Sequence, residues 1–127
     1  MRHFILLLLL TLVLVGCNEA KPDFDNVSES LVNAERVMND KDLVITTATS
    51  SQSKIINFRI LIKDRINNEQ AKGLVNDFFN EIDKNITDLE LFKKTYSIKF
   101  DIKSQKDGQI LYQGKREKEE DQIWWQF

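Results

Sequence analysis

Histidine and cysteine, the residue types that most often perform catalysis, each occur once in this sequence of 127 residues, as His3 and Cys17. Ser–His and Cys–His nucleophilic systems need an imidazole beside the nucleophile, and structural zinc sites use cysteine and histidine ligands. Neither chemistry is available to the mature protein if the chain is cut before Cys17, which removes His3, and the Cys17 thiol is modified. We therefore expect a protein that is not an enzyme, with no catalytic residue, no metal and no cofactor.

The first sixteen residues have the layout of an export signal. Arg2 supplies a positive start, and residues 4–15 form an apolar run interrupted only by Thr11. A helix needs about 20 apolar residues to span a bilayer, so this run is too short for a permanent membrane helix. We interpret residues 1–16 as a cleaved signal peptide.

The end of this run resembles a bacterial lipobox, in the order Leu14, Val15, Gly16 and Cys17. In lipoproteins with this motif the cysteine thiol is diacylglycerylated and the chain is cleaved just before it. The resemblance implies that Cys17 is the site of lipid attachment and the first residue of the mature chain. It also explains a lone cysteine in an exported chain, which has no partner for a disulfide. Residues 17–24 would then form the lipidated N-terminus and a short tether.

A lipid at Cys17 predicts where the protein resides. Each buried methylene contributes about 0.8 kcal/mol, so the two chains of a diacylglycerol give stable anchoring at the extracytoplasmic face of the cell membrane. The many lysine, asparagine and isoleucine residues suggest an AT-rich genome and favour a Gram-positive host. In a Gram-negative host, Asn18 after the cysteine would be compatible with the outer membrane. In size and organisation the chain resembles small accessory lipoproteins of Bacillus-type cells, including mobile-element lipoproteins that block redundant conjugation.

Carboxylates are densest between Arg116 and Asp121, in the run Arg-Glu-Lys-Glu-Glu-Asp. A calcium loop combines several oxygen ligands with a glycine at its sharp turn. This run has no glycine and contains two competing cations. We interpret it as a solvated turn.

Adjacent tryptophans near the chain's end provide a candidate interaction site. Neighbouring residues of a strand face opposite sides of the sheet, so if Trp125 faces the core, Trp124 faces outward. An outward tryptophan could anchor a partner. The alternative is that Trp124 packs over its own sheet against Leu111 or Arg116.

The Ser/Thr-rich segment from Thr46 to Ser53 is a second candidate surface. We expect its polar outward face, with Thr47 and Thr49 as candidate interaction residues, to suit hydrogen bonding to a partner strand. Polar hairpins of this kind are also common as plain surface.

Hydrophobic spacing indicates the elements that position these residues. Apolar residues three or four apart predict two amphipathic helices, the second preceded by a capping-box pair, Asn67 and Gln70. Their core stripes are Val27, Leu31, Ala34 and Met38 in the first, and Ala71, Leu74, Val75, Phe78, Phe79, Ile82 and Ile86 in the second. Strand patterns cover residues 43–49, 54–63, 96–102, 109–115 and 122–127, with Asp107-Gly108 in a tight hairpin turn.

The resulting order, αββαβββ, predicts one α+β domain over residues 25–127. We expect a two-layer sandwich, in which an antiparallel sheet of about five strands carries two helices on one face. No glycine-rich turn follows a strand, which disfavours a doubly wound nucleotide-binding fold. A domain of about 100 residues commits most of its apolar side chains to the core, which leaves few to line a deep pocket.

The net charge and the predicted lipid anchor together limit the classes of function that we expect. The formal net charge of −2 excludes nucleic-acid binding driven by bulk positive charge. The short tether would hold the domain close to the membrane. The leading hypothesis is a lipid-anchored, non-catalytic protein-binding or inhibitory module whose partner is a membrane-associated protein. The alternative is a lipoprotein that binds a small ligand or senses the envelope, with a groove between helices and sheet.

Overall fold

A computed structural model describes residues 26–126 of the chain. The predicted signal peptide, the predicted lipobox with Cys17 and the predicted tether lie outside the described residues, and so does Phe127. Three helices and five strands follow one another as α1 (Val27–Asn39), β1 (Val44–Gln52), β2 (Ile55–Ile62), α2 (Asn68–Lys84), α3 (Leu89–Thr95), β3 (Ser97–Ser104), β4 (Ile110–Arg116) and β5 (Trp124–Gln126).

The five strands form one open sheet in sequence order, from β1 at one edge to β5 at the other. The predicted α+β class and the sheet of five strands are confirmed. The sheet is mixed rather than wholly antiparallel, because β2 and β3 run parallel while every other pair is antiparallel. Parallel neighbours need a crossover connection, and α2 with α3 provides it.

Helix α3 has no counterpart in the sequence prediction. It is only seven residues long, which is too short for a convincing apolar period. The Asp88 side chain caps its start by accepting a hydrogen bond from the Leu91 backbone N–H at 3.1 Å. Its one buried side chain is Phe92.

Both long helices bury the stripes that their spacing predicts. All four predicted core residues of α1 are buried, and so are those of α2, together with Ile86 just after it. The capping box is present: Asn67 accepts from the Gln70 N–H at 2.8 Å, and Gln70 accepts from the Asn67 N–H at 3.0 Å. These reciprocal bonds satisfy two backbone donors at the start of α2.

Asn26 joins the beginning of α1 to the end of α2 instead of capping its own helix. Its side-chain amide donates to the Asn85 carbonyl, and its side-chain oxygen accepts from the Thr87 N–H at 3.4 Å. The residue directly before α1 therefore fixes the first helix to the end of the second.

Phe58 occupies the centre of the core between the sheet and α2. Its ring stacks on Phe78 at 4.0 Å between centroids and on Phe100 at 5.3 Å, and it meets Phe79 edge-on at 5.5 Å. Aromatic pairs in these arrangements contribute about 0.5–1.5 kcal/mol beyond their buried area. The cluster thus joins the parallel pair β2–β3 to the helix layer.

Two fully buried serines form a natural comparison. The Ser30 hydroxyl donates to the Ile82 carbonyl at 2.7 Å, whereas within residues 26–126 the Ser104 hydroxyl has no hydrogen-bond partner. A made hydrogen bond contributes about 0.5–1.5 kcal/mol, and a buried polar group without one costs free energy.

We therefore predict different effects on the free energy of unfolding when each serine is replaced by alanine. Ser30→Ala should lower the free energy of unfolding by about 1 kcal/mol, because it removes the bond between α1 and α2. Ser104→Ala should leave it unchanged or raise it by up to about 1 kcal/mol. Urea denaturation of both variants beside the unaltered protein measures the difference. Equal losses in the two variants would contradict the assignment of a partner to Ser30 alone.

Candidate functional site

The helices cover one face of the sheet, and within the described residues the other face is uncovered. The ten side chains at the middle of that face, here called the open face, lie in two rows that cross all five strands. One row is Ala48, Arg59, Asp101, Gln113 and Gln126, and the other is Ser50, Asn57, Lys99, Lys115 and Trp124. All are exposed except Asp101, which is half-buried.

Trp124 is the one aromatic side chain of the open face. It is 48% exposed, and its indole Nε1–H donates to Glu120 Oε2 at 2.7 Å. Trp125 points to the opposite side, where its ring meets the edge of Phe100 with centroids 5.0 Å apart. The structure thus places the two tryptophans on opposite faces of β5, as strand alternation predicts.

Thr47 and Thr49 lie on the helix-covered face, so the prediction that they form an outward surface is wrong. Thr47 is 8% exposed, and its hydroxyl contacts Asn39 Oδ1 at 2.8 Å. The Thr49 hydroxyl donates to Glu35 Oε1 at 2.6 Å. Both threonines attach β1 to α1. Hydroxyl side chains occur on both faces of β1, so polarity alone could not indicate which set faces inward.

Arg116 also departs from the prediction, because it does not belong to a solvated turn. Its guanidinium is buried on the inner face, where it contacts both Asp83 carboxylate oxygens at 2.8 and 2.9 Å and lies 4.7 Å from the centre of the Phe79 ring. Removing one member of such a buried pair typically costs ~3–5 kcal/mol. Arg116 therefore fixes β4 to α2. Its position two residues after Gly114, on the inward alternation of β4, is the sequence signal that could have revealed it.

Ion pairs order three charged side chains of the open face, Arg59, Asp101 and Lys115. Arg59 and Asp101 form a two-point pair at 2.6 and 2.8 Å, and the hydrogen bond and charge of Asp101 raise the pKa of Arg59. Lys115 contacts Glu117 at 2.6 Å, and its hydrogen bond and charge lower the pKa of that carboxyl. Such exposed pairs contribute little stability, so their main effect here is to hold the side chains in place.

The segment between β4 and β5 rests on helix α3. The Lys93 ammonium contacts Asp121 at 2.6 Å and lowers the pKa of that carboxyl, first through its hydrogen bond and then through its charge. The Lys93 carbonyl accepts from the Glu119 N–H at 2.9 Å. Glu120, which bonds Trp124, belongs to the same segment. Helix α3 thus helps to position the Trp124 indole through the segment that carries Glu120.

The described part of the molecule includes two hollows that bear on the choice of site. The larger, of about 800 Å³, lies over the open face between Arg59, Lys99 and Trp124. The smaller, of about 430 Å³, lies beside the α1–β1 loop and is bordered by the Lys41–Asp77 ion pair, whose atoms are 2.8 Å apart. Between the helices and the sheet the space is filled by core side chains.

Chemically, the open face offers binding groups. It combines a two-point ion pair, lysine ammoniums, amides and one exposed indole. Residues 26–126 bring no three His, Cys, Asp or Glu side chains together in a group that could hold a metal ion. In the same range, no helix has both the length and the apolar character needed to cross a bilayer.

Comparisons with protein-family models, with curated proteins and with solved structures found no match to this chain. What the protein does must therefore be argued from its own residues.

Gly114 controls how β5, and with it Trp124, is mounted on the sheet. A Cβ at this position would lie 2.6 Å from Phe100 Cζ and would also collide with the Trp124 carbonyl. Gly73, in the interior of α2, has open space at the same position. The two glycines therefore serve as test and control.

Gly114→Ala should destabilise the protein by about 3 kcal/mol, because the methyl group overpacks the contact between Phe100 and β5. Gly73→Ala should stabilise it by about 0.5–1 kcal/mol through the better helix propensity of alanine. Tryptophan fluorescence during urea denaturation measures both effects, since both tryptophans of the chain lie in β5. If Gly114→Ala behaved like Gly73→Ala, β5 would not depend on this close approach.

Proposed function

We propose that this protein is a bacterial lipoprotein, anchored through Cys17 at the extracytoplasmic face of the membrane, that binds another membrane-associated protein on the open face of its sheet. The observation that carries the proposal is the exposed Trp124 at the end of a polar row. The proposed role is non-catalytic binding, which is supported by the lack of histidine and cysteine in residues 26–126; an enzyme would have to rely there on carboxylate, hydroxyl, lysine or tyrosine side chains.

The geometry of Trp124 supports a binding role. Tryptophan is enriched among the residues that dominate binding energies, and it combines a large apolar area with a polar N–H. Its bond to Glu120 holds the indole in one orientation before any partner arrives. A preoriented side chain loses less conformational entropy on binding. The paired Arg59 and Asp101 are held in the same way.

The size of the open face limits the kind of complex. Five strands about 4.8 Å apart span roughly 19 Å, and a strand of seven residues, the length of β4, spans roughly 23 Å. The whole uncovered side of the sheet, of which the open face is the middle, then has a projected area of about 440 Å², below the ~800 Å² per partner of a standard stable interface. We therefore propose a transient or regulatory contact. Exclusion of redundant conjugative transfer, to which the sequence's organisation points, is one surface process that such a contact would serve.

A small-ligand or sensing role is the second candidate, and the hollow of about 800 Å³ favours it by volume. Ligand sites of ~300–1,000 Å³ are usually concave and mainly apolar, with the ligand largely buried. This hollow instead lies over an uncovered sheet face bordered by Arg59, Lys99 and Lys115. The groove between helices and sheet that such a role would use is filled by the core. The protein-binding role is therefore better supported.

Cys17→Ala tests the anchor. The substitution removes the thiol that would carry the lipid, so the variant should accumulate as an uncleaved precursor and incorporate no labelled palmitate. Metabolic labelling and electrophoretic mobility measure both outcomes. Cys17→Ser, which preserves the size of the side chain, should behave in the same way. Labelling that persists in either variant would contradict the lipoprotein assignment.

Trp124→Ala tests the binding surface. Loss of a dominant interface tryptophan costs at least about 2 kcal/mol, so partner cross-linking in membranes of the producing cells should fall roughly thirtyfold. The melting temperature should stay within a few degrees. Leu91→Ala is the matched control, because Leu91 is 46% exposed but lies on α3, away from the open face.

Two outcomes would contradict this role for Trp124. If cross-linking in Trp124→Ala persists at the level of the control, the open face is not the binding surface. A large fall in melting temperature would instead identify Trp124 as a packing residue.

A further inference from the structure

Strand β1 forms one edge of the sheet and, within residues 26–126, pairs only with β2. Its nine residues, Val-Ile-Thr-Thr-Ala-Thr-Ser-Ser-Gln, include no charged residue and no proline, although 30% of the whole chain is charged. The uncharged stretch continues on both sides, from Leu43 to Ser53. No other stretch of the described chain is as long without a charge.

Natural proteins normally protect such an edge. An unpaired strand exposes a row of backbone N–H and C=O groups that can pair with another strand, and lysine, proline, short length or a bulge usually prevents this. In β1 only the bulge is present, where the register shifts between Val44 and Thr46. From Thr46 to Gln52 every residue pairs regularly with β2. That part of the edge is regular and unprotected.

The composition of β1 makes it self-complementary. In an antiparallel pair of identical strands centred on Ala48, Thr46 would lie opposite Ser50 of the second copy, and Thr47 opposite its Thr49. Every cross-strand pair would then join neutral side chains, with no like charges opposite each other. Threonine and serine pairs are among the favourable cross-strand combinations.

Exposed apolar side chains cluster around the same edge. Val32 is 63% exposed, Leu43 40% and Ile45 39%, which is half of the large hydrophobic residues that are exposed in the described chain. Val32 lies one turn before Glu35 on the same side of α1, and Glu35 bonds Thr49. One helical turn advances ~5 Å, or about one and a half strand residues, which brings Val32 level with Ser51.

These exposed apolar residues favour a second copy of this chain, rather than an extended peptide, as the partner that pairs with β1. An extended peptide from another protein would cover the edge of β1 but leave Val32, on the neighbouring helix, exposed. A second copy brings a helix and a strand together. With Ala48 on the two-fold axis, Ile45 of one copy, at the bulge that ends the regular edge, comes near Ser51 of the other copy and so near the Val32 level with that residue. The apolar groups at both ends of the interface are then covered by the same symmetric contact.

We propose that two copies of this chain associate through antiparallel pairing of their β1 strands about a two-fold axis near Ala48. The two sheets become one sheet of ten strands, with both α1 helices beside the axis. Strand β5 lies at the far edge in each copy, so the pairing leaves Trp124 and the open face accessible. The proposal is therefore independent of the proposed function.

Disulfide cross-linking of the full chain in membranes of the producing cells tests the pairing directly. Ala48→Cys should give a disulfide-linked dimer under mild oxidation, because paired strands place Cα atoms about 4.5–5.5 Å apart, within disulfide range. Lys72→Cys, exposed on α2, should give none and also controls for any contribution from Cys17. A failure of Ala48→Cys to cross-link, equal dimer from Lys72→Cys, or a disulfide only to a different protein would overturn the proposal.

A charge at the axis provides the second test. Ala48→Lys would place two ammoniums opposite each other, so the detergent-solubilised protein should shift from dimer to monomer in sedimentation, with an unchanged circular dichroism spectrum. Asn57→Lys places the same charge on the open face of β2, away from the edge, and should leave the dimer intact. An unaltered protein that sediments as a monomer at every concentration tested, or an Ala48→Lys variant that remains dimeric, would overturn the proposal.

Discussion

The packing of one phenylalanine cluster is the constraint on which the rest of this fold depends. Phe58 and Phe100 lie on the two parallel strands, and Phe78 and Phe79 meet them from α2. The cluster also supports the outer strands. Arg116 places β4 over the Phe79 ring, and the Trp125 of β5 meets the edge of Phe100. Contacts with the same group of rings therefore help to fix the positions of all strands from β2 to β5.

Sequence patterns predict the elements well because burial on one side imposes a period. They predict direction poorly, since an alternating strand reads the same in a parallel and an antiparallel pair, and so the β2–β3 pairing was not foreseen. Burial of Thr47 and Thr49 was missed because polar side chains occupy both faces of β1. Arg116 was missed because a run of charged residues looks solvated unless one of them has a buried partner, here Asp83 on a distant helix.

The two sides of the sheet have different tasks. On the helix-covered side the side chains pack in the core. Polar ones there attach elements to one another: Ser30 joins α1 to α2, and Thr47 joins β1 to α1. The open face has no such commitment: Arg59 pairs with Asp101 and Lys115 with Glu117, and neither pair involves the helix layer. Binding chemistry can therefore change on the open face with little effect on folding. The indole of Trp124 reaches that face because the residue beside it, Trp125, is held by the core.

The hydrogen bonds of Asn26 affect how the domain would resist a pulling force. A force that pulls on α1 from its N-terminal side would reach Asn26, the residue directly before the helix, ahead of any residue of α1. That residue grips the Asn85 carbonyl and the Thr87 amide, which belong to the turn between α2 and α3. Load would thus be divided between two segments almost sixty residues apart in the chain, and α1 could not be peeled away alone without first breaking that junction.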